Sequence, residues 1–216
     1  MAEQFSYREV FSILVAWFIL TIAVSYKYVI GFLSGTANDL QIIAAASIAT
    51  VTGFVLHEMG HKFVATRLGY VAHFQIWIWG IALTLVTAVI SGGNFLFGAP
   101  GAVYVTPAAI TAVYGYHFAS RNKGNPEREN MLVSAAGPGV NLAFAVLFLM
   151  IYLSASSYVT VLISYLGLEL NVSLGTFNML PIPPLDGSKI FKNNIAVALT
   201  IALPLWSMFF YLFFIH

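Results

Sequence analysis

The 216-residue sequence contains no cysteine, which excludes disulfides, thiolate metal sites and cysteine nucleophiles together and leaves the redox compartment open. Any metal must therefore be held by His, Asp or Glu. Charge is nearly as scarce: Asp, Glu, Lys and Arg make up 8% of the chain, against roughly a quarter in soluble domains. With 60% of residues apolar and a mean hydropathy of +0.87, too few polar side chains remain to clothe a water-solvated surface. The formal charge of +1 supplies no basic face for nucleic acid, which is excluded as a partner. The lipid bilayer is the expected solvent.

Crossing a hydrocarbon core of about 30 Å takes roughly 20 helical residues. Five apolar runs are long enough: Val10 to Leu33, Leu40 to Thr66, Met131 to Leu153, Tyr158 to Leu180 and Asn194 to Ile215. The first ends near a small-x-small triplet, Ala23-Val24-Ser25, of the kind found at signal-peptide cleavage sites. The residues before it include Glu3, Arg8 and Glu9 and make no basic leader, so this run reads as a spanning helix.

A sixth apolar stretch, Phe74 to Phe97, is followed and interrupted by Gly92, Gly93, Gly98, Pro100 and Gly101. If it crosses once, Arg8, Lys62 and Arg67 lie on one side and Lys27, Arg121, Lys123, Arg128, Lys189 and Lys192 on the other. If it enters and returns, every one of these except Lys27 shares a side. The positive-inside rule favours the second arrangement. The expectation is a re-entrant hairpin or short membrane-associated β segment around residues 70–105, with the basic side cytoplasmic. Irregular backbone at that depth must be covered by protein or line a wet cavity, so this segment should pack against a site. The polar stretch Ser120 to Asn130 reads as a solvated loop. The whole is expected to be an all-α polytopic membrane protein with about five to six transmembrane helices, forming one membrane-embedded domain over residues 1–216.

Near the end of the second run the chain reads His57-Glu58-Met59-Gly60-His61. Residues four apart share a helix face one turn apart, so both imidazoles can grip one ion, with Glu58 placed to take a proton from water. This is the spacing of helical zinc hydrolases. With five His and eight acids in 216 residues, chance matches number only ~0.004. Ionisable groups in a membrane helix are costly, which weakens the alternative of ordinary interhelical polar contacts. Gly60 suits either reading, since it lets a neighbouring helix approach.

A hydrolytic zinc keeps three protein ligands and one open position. The candidates for the third are His73, His117, His216, Glu169 and Asp186. Asp186 follows Pro181, Pro183 and Pro184, which force a non-helical path directly after the fourth run. In the hairpin topology it emerges on the same side as His61. His73 and His117 read as interfacial residues, and Glu169 as a loop residue.

Three motifs in order resemble the site-2 protease family of intramembrane zinc metalloproteases: His57-Glu58-x-x-His61, Ala136-Gly137-Pro138-x-x-Asn141, and Asn178-x-x-Pro181-x-x-Pro184-Leu185-Asp186-Gly187. The resemblance covers residues 47–190, flanked by helices expected at 10–33 and 194–215. Ala99 to Val103 is also similar to a segment of short archaeal members. The resemblance implies that His57, His61 and Asp186 bind one zinc ion and that Glu58 is the catalytic glutamate. It further implies that Asn141, Asn178, Pro181 and Pro184 bind substrate or stabilise the oxyanion. The expected activity is a metalloendopeptidase acting on transmembrane protein substrates, with its site near the cytoplasmic side. The PDZ insertion and CBS pair of other members have no counterpart in this sequence. The rival readings are a polytopic zinc protease of the prenyl-protein type and a membrane zinc transporter or sensor.

Overall fold

The computed structural model describes residues 5–35, 39–93, 100–107 and 125–215. Ala99, His117, Arg121, Lys123 and His216 lie outside them. The described chain is mostly helical, with one small sheet and five helices long and apolar enough to span a membrane.

Helix α1 (Tyr7–Val24) starts at a capping Ser6 whose hydroxyl accepts from the Glu9 N–H at 3.2 Å, a Ser-x-x-Glu start. The expected run to Leu33 is broken at Ser25. Its hydroxyl donates back to the Thr21 carbonyl at 2.6 Å and its backbone leaves helical geometry, so a separate helix, α2 (Tyr26–Leu33), follows. The second span, Leu40–Arg67, combines α3 (Asp39–Thr50), a π-helical turn (Val51–Val55) and α4 (Leu56–Arg67). It runs opposite to α1, which meets it at Lys62 through Glu9 near its own start and at Ser47 through Trp17 further along. The Trp17 indole donates to the Ser47 carbonyl (3.2 Å) and the hydroxyls of Thr21 and Thr50 pair at 2.8 Å.

After α4 the chain forms β1 (Tyr70–Ile76), α5 (Ile78–Ser91) and β2 (Gly101–Pro107). The strands pair antiparallel from Tyr70↔Pro107 to Ile76↔Gly101, and the Trp77 N–H donates to the Pro100 carbonyl at 3.0 Å. The segment therefore leaves and returns at one place. Its helix, about 21 Å long by its 14 residues, is too short to cross alone. The outward course holds: this is a re-entrant unit with a two-stranded base. Helix α5 packs on α1.

Helix α6 (Pro126–Ser154) begins five residues before the expected Met131. Asn125 caps it by accepting from the Glu127 N–H at 3.0 Å, and Pro126 sits where a missing N–H is harmless. Half of the stretch read as a solvated loop, Pro126 to Asn130, is thus the first turn of a helix. Helix α7 (Tyr158–Asn178) returns antiparallel; the exposed segment Pro181 to Pro184 leads to α8 (Asp186–Asn193), and α9 (Ile195–Phe214) closes the bundle. Glu169 lies in the middle of α7, not in a loop; its flanks are too apolar to form a turn.

Small residues fill the interhelical contacts: Ala16, Ala23, Ala45, Ala46, Ala49, Ala145, Ala198 and Ala202 are buried, while Phe18, Ile90, Leu153 and Phe214 stand exposed. That inversion of the soluble pattern is what lipid permits, since backbones gain by approaching closely and large apolar groups lose nothing outside. Larger side chains make the main core where α6, α7 and α9 meet, around Phe148, Leu168, Val172 and Leu205, and a smaller one where α1, the π-turn and β1 meet, around Leu20, Phe54 and Phe74.

Candidate active site

The site is built on α4 and α6, which run antiparallel. His61 meets Val133 and His57 meets Asn141, while at the end of the pair the Tyr70 hydroxyl donates to Glu129 at 2.6 Å. Arg67 and Pro126 therefore lie at the same end of the bundle. Arg8, Lys62, Lys189 and Lys192 belong to that end through Glu9, Asp186 and Glu127. Tyr70 is pushed up to about 12 by its hydrogen bond to the Glu129 carboxylate, with burial and the charge itself adding.

Each histidine is oriented from behind. The His57 Nδ1–H donates to Asn141 Oδ1 at 2.6 Å and the His61 Nδ1–H to the Val133 carbonyl at 2.7 Å. Pro138, inside α6, has no N–H for the Ser134 carbonyl and loosens the turn next to Val133. With both Nδ1 atoms acting as donors, both Nε2 atoms present lone pairs. These face each other at 3.0 Å, and Asp186 Oδ2 stands 3.6 Å from His57 Nε2 and 3.1 Å from His61 Nε2. Among the described residues this is the group of His, Asp and Glu able to share one ion.

Two imidazole lone pairs and a carboxylate repel unless a positive charge lies among them. Ligand atoms held 2.0–2.2 Å from one tetrahedral zinc stand roughly 3.3–3.6 Å apart, close to the spacings found. The donor set thus fits zinc. Burial alone would raise the Asp186 carboxyl, but when protons on His57 and His61 take the place of a cation, their hydrogen bonds and charge outweigh it and hold the carboxyl well below the usual carboxylate range. It is ionised at neutral pH, the form that can hold a cation.

Close packing makes room for this cluster. A Cβ on Gly137 would lie 2.6 Å from His57 Cε1 and Nε2 and would also strike His61 Nε2; one on Gly187 would lie 2.5 Å from the Met179 carbonyl. Only glycine lets α6 lie this close to the ligand edges of the rings and lets α8 bring Asp186 up to them.

Glu58 projects from α4 beside His57 toward the sheet, where its Oε2 accepts from the Val103 N–H of β2 at 2.9 Å. Asn141 is fully buried; its Nδ2 donates to the Gly53 carbonyl of the π-turn (2.8 Å) and to Asn171 Oδ1 (3.2 Å). Both amide hydrogens are engaged, which favours a role in orienting His57 over donation to an oxyanion. Asn171, unnoticed in the sequence, donates to Thr52 Oγ1 at 3.0 Å and to the Gly167 carbonyl at 2.8 Å. The signal for it was an Asn in an apolar run, two turns before Asn178, between Gly167 and Gly175 on one helix face. Asn178 donates to the Leu174 carbonyl at 3.0 Å, and Pro181 and Pro184 are exposed on the approach to Asp186. His73 is exposed on β1 and Glu169 lies on α7; neither belongs to the three-residue group.

The profile of peptidase family M50 matches residues 45–167. A protein of Methanocaldococcus jannaschii named as a candidate zinc metalloprotease is 31% identical over 212 residues, 98% of this chain and 97% of the relative. The chain belongs to peptidase family M50, the site-2 proteases. A Bacillus subtilis protein, also named as a candidate zinc metalloprotease, is 28% identical over 165 residues, covering 71% of this chain and 70% of that one. No solved structure matches the chain. This site-2-type protease is a zinc metallopeptidase and a multi-pass integral membrane protein. His57, His61 and Asp186 sit close enough to form its zinc site.

Proposed function

We propose that this M50 protease is an intramembrane endopeptidase that cuts membrane proteins within or near their transmembrane segments, as in regulated intramembrane proteolysis, with residues 1–216 acting as one membrane-embedded domain. His57, His61 and Asp186 hold the zinc, and Glu58 is the catalytic base. The observation that carries this reading is the convergence of His57 Nε2, His61 Nε2 and Asp186 Oδ2 beside a glutamate on the same helix. Zinc supplies acidification of water and polarisation of the scissile carbonyl. Glu58 accepts a proton from water and later delivers it to the leaving amine. Asn141 and the Val133 carbonyl keep both rings in the ligating tautomer, an arrangement that opposes the alternating exposure a zinc transporter needs.

His61 lies six residues before Arg67 and His57 ten, which supports a depth of roughly 10–15 Å below the basic end of the bundle. Among the described residues Arg8, Lys62, Arg67, Arg128, Lys189 and Lys192 belong to that end and Lys27 to the other, which supports a cytoplasmic site. A substrate helix hides its peptide groups in its own hydrogen bonds and must unwind locally before attack. The outer edge of β2, apart from the Val103 N–H that Glu58 holds, offers backbone groups to such a stretch, and half-buried Asn178 with exposed Pro181 and Pro184 borders the same approach. Comparing membrane peptides from cells carrying the wild type or Glu58→Gln tests this reading. New termini inside transmembrane segments, seen only with the wild type, are the expected result; identical peptide sets would overturn it.

A further inference from the structure

Lys62 follows the second histidine of the motif and lies on the α4 face that carries Glu58. It donates to both Glu9 oxygens at 2.6 Å, with Lys62 5% and Glu9 3% exposed, and the Phe5 ring lies 4.1 Å from Nζ. Glu9 Oε1 also accepts from the Phe74 N–H at 2.9 Å. One carboxylate thus joins α1, α4 and β1.

Phe74 pairs with Val103, and both N–H groups point away from the partner strand, Phe74 to Glu9 and Val103 to Glu58. This is a non-hydrogen-bonded pair of an antiparallel ladder. Two acidic groups therefore grip the sheet from opposite edges at one residue pair, and both belong to or are anchored by α4. A slip of one residue, about 3.3 Å, would set Tyr104 against Phe74 in place of Val103 and turn every β2 side chain to the opposite face of the sheet beside Glu58. As a source of stability alone a buried ion pair is poor, because apolar residues of similar volume often do as well or better. What it supplies is a fixed register between three elements.

We propose that Glu9 and Lys62 are positioning residues of the protease: through Phe74 they hold the sheet in the one register that sets the β2 edge against Glu58. This rests on the reading of Glu58 as the base and of that edge as the substrate platform.

The test uses the full chain in detergent micelles and compares the wild type, Glu9→Met/Lys62→Met and Glu58→Gln. Zinc content, amide exchange of residues 101–107 and of 56–67, and cleavage of a single-span apolar peptide with a central Asn-Pro are measured on each. The double Met variant is expected to keep its zinc and its α4 protection while exchange over 101–107 rises at least tenfold. Its kcat/KM should fall at least tenfold, mainly through KM, and its cleavage position should spread to neighbouring bonds. Wild-type exchange and a wild-type cleavage position, even with a lowered melting temperature, would overturn the proposal and reduce the pair to a stabilising contact. Should the double variant fail to fold, Glu9→Asp keeps the charge but is one methylene short of holding Lys62 and Phe74 together, and the same exchange and cleavage readouts decide. Cleavage by Glu58→Gln would instead overturn the reading of the base and leave the exchange result for the sheet intact.

Discussion

Replacing Gly137 with Ala puts one methyl group where the histidines need space. Its Cβ would lie 2.6 Å from His57 Cε1 and Nε2, whereas such contacts are ordinarily 3.5–4.0 Å, an overlap of about 1 Å. The rings cannot simply turn away, because they are held by Asn141 and Val133, which lie on the same helix as Gly137. If α6 retreats by about 1 Å, those bonds stretch from 2.6 and 2.7 Å beyond hydrogen-bonding range. Overpacking of this kind costs about 1–3 kcal/mol, and at about 1.4 kcal/mol per tenfold the expected loss is about 5- to 150-fold in zinc affinity. Gly139→Ala is the matched control: the same helix gains the same propensity, of about 1 kcal/mol, but nothing lies within 4 Å of its Cβ. Titrating zinc into the apo-protein against a competing chelator, in detergent, measures both. Gly137→Ala binding zinc within twofold of Gly139→Ala would refute the packing argument.

Asn141→Ala removes the acceptor behind His57 and should weaken zinc binding about 10- to 100-fold, read by the same titration, whereas a change confined to cleavage would return Asn141 to an oxyanion role. The Tyr70 phenol is raised from 10.0 to about 12 by Glu129; a group raised on folding stabilises fully below its unfolded value and loses that contribution as pH rises through the folded one. The melting-temperature difference between wild type and Tyr70→Phe should therefore be constant from pH 7 to 10 and shrink toward pH 12. A difference that grows over that range would contradict the assignment. Because the chain has no cysteine, single cysteines at Arg128 and Lys192 should label from one side of the membrane and one at Lys27 from the other. Labelling of Arg128 and Lys27 from the same side would break the hairpin topology.

The parts of the site that depend on local spacing were legible in the sequence. His57, Glu58 and His61 fall on adjacent faces of one helix by periodicity alone, and the prolines before Asp186 mark a break that can present a carboxylate. The charge count found the re-entrant unit because α5 is short and its glycines stop it. Long-range pairing was not legible. Glu9 and Lys62 are 53 positions apart and each looked like an ordinary topological charge. Asn171 hid in an apolar run because its partners, Asn141 and Thr52, come from two other spans. Ser25 ended α1 early because a serine bonding back to the preceding turn is invisible to a hydropathy average. Glu169 was misplaced for the opposite reason: a single acid suggested a turn where its apolar neighbours made a continuous helix.

The central claim is that three side chains hold the zinc while Glu58 moves the proton. Its most direct test is zinc stoichiometry measured together with cleavage of a membrane-spanning substrate in Glu58→Gln. The expected result is one zinc per chain, as in the wild type, with cleavage abolished. Wild-type cleavage by that variant, or loss of its zinc, would contradict the division of roles between Glu58 and the cluster of His57, His61 and Asp186.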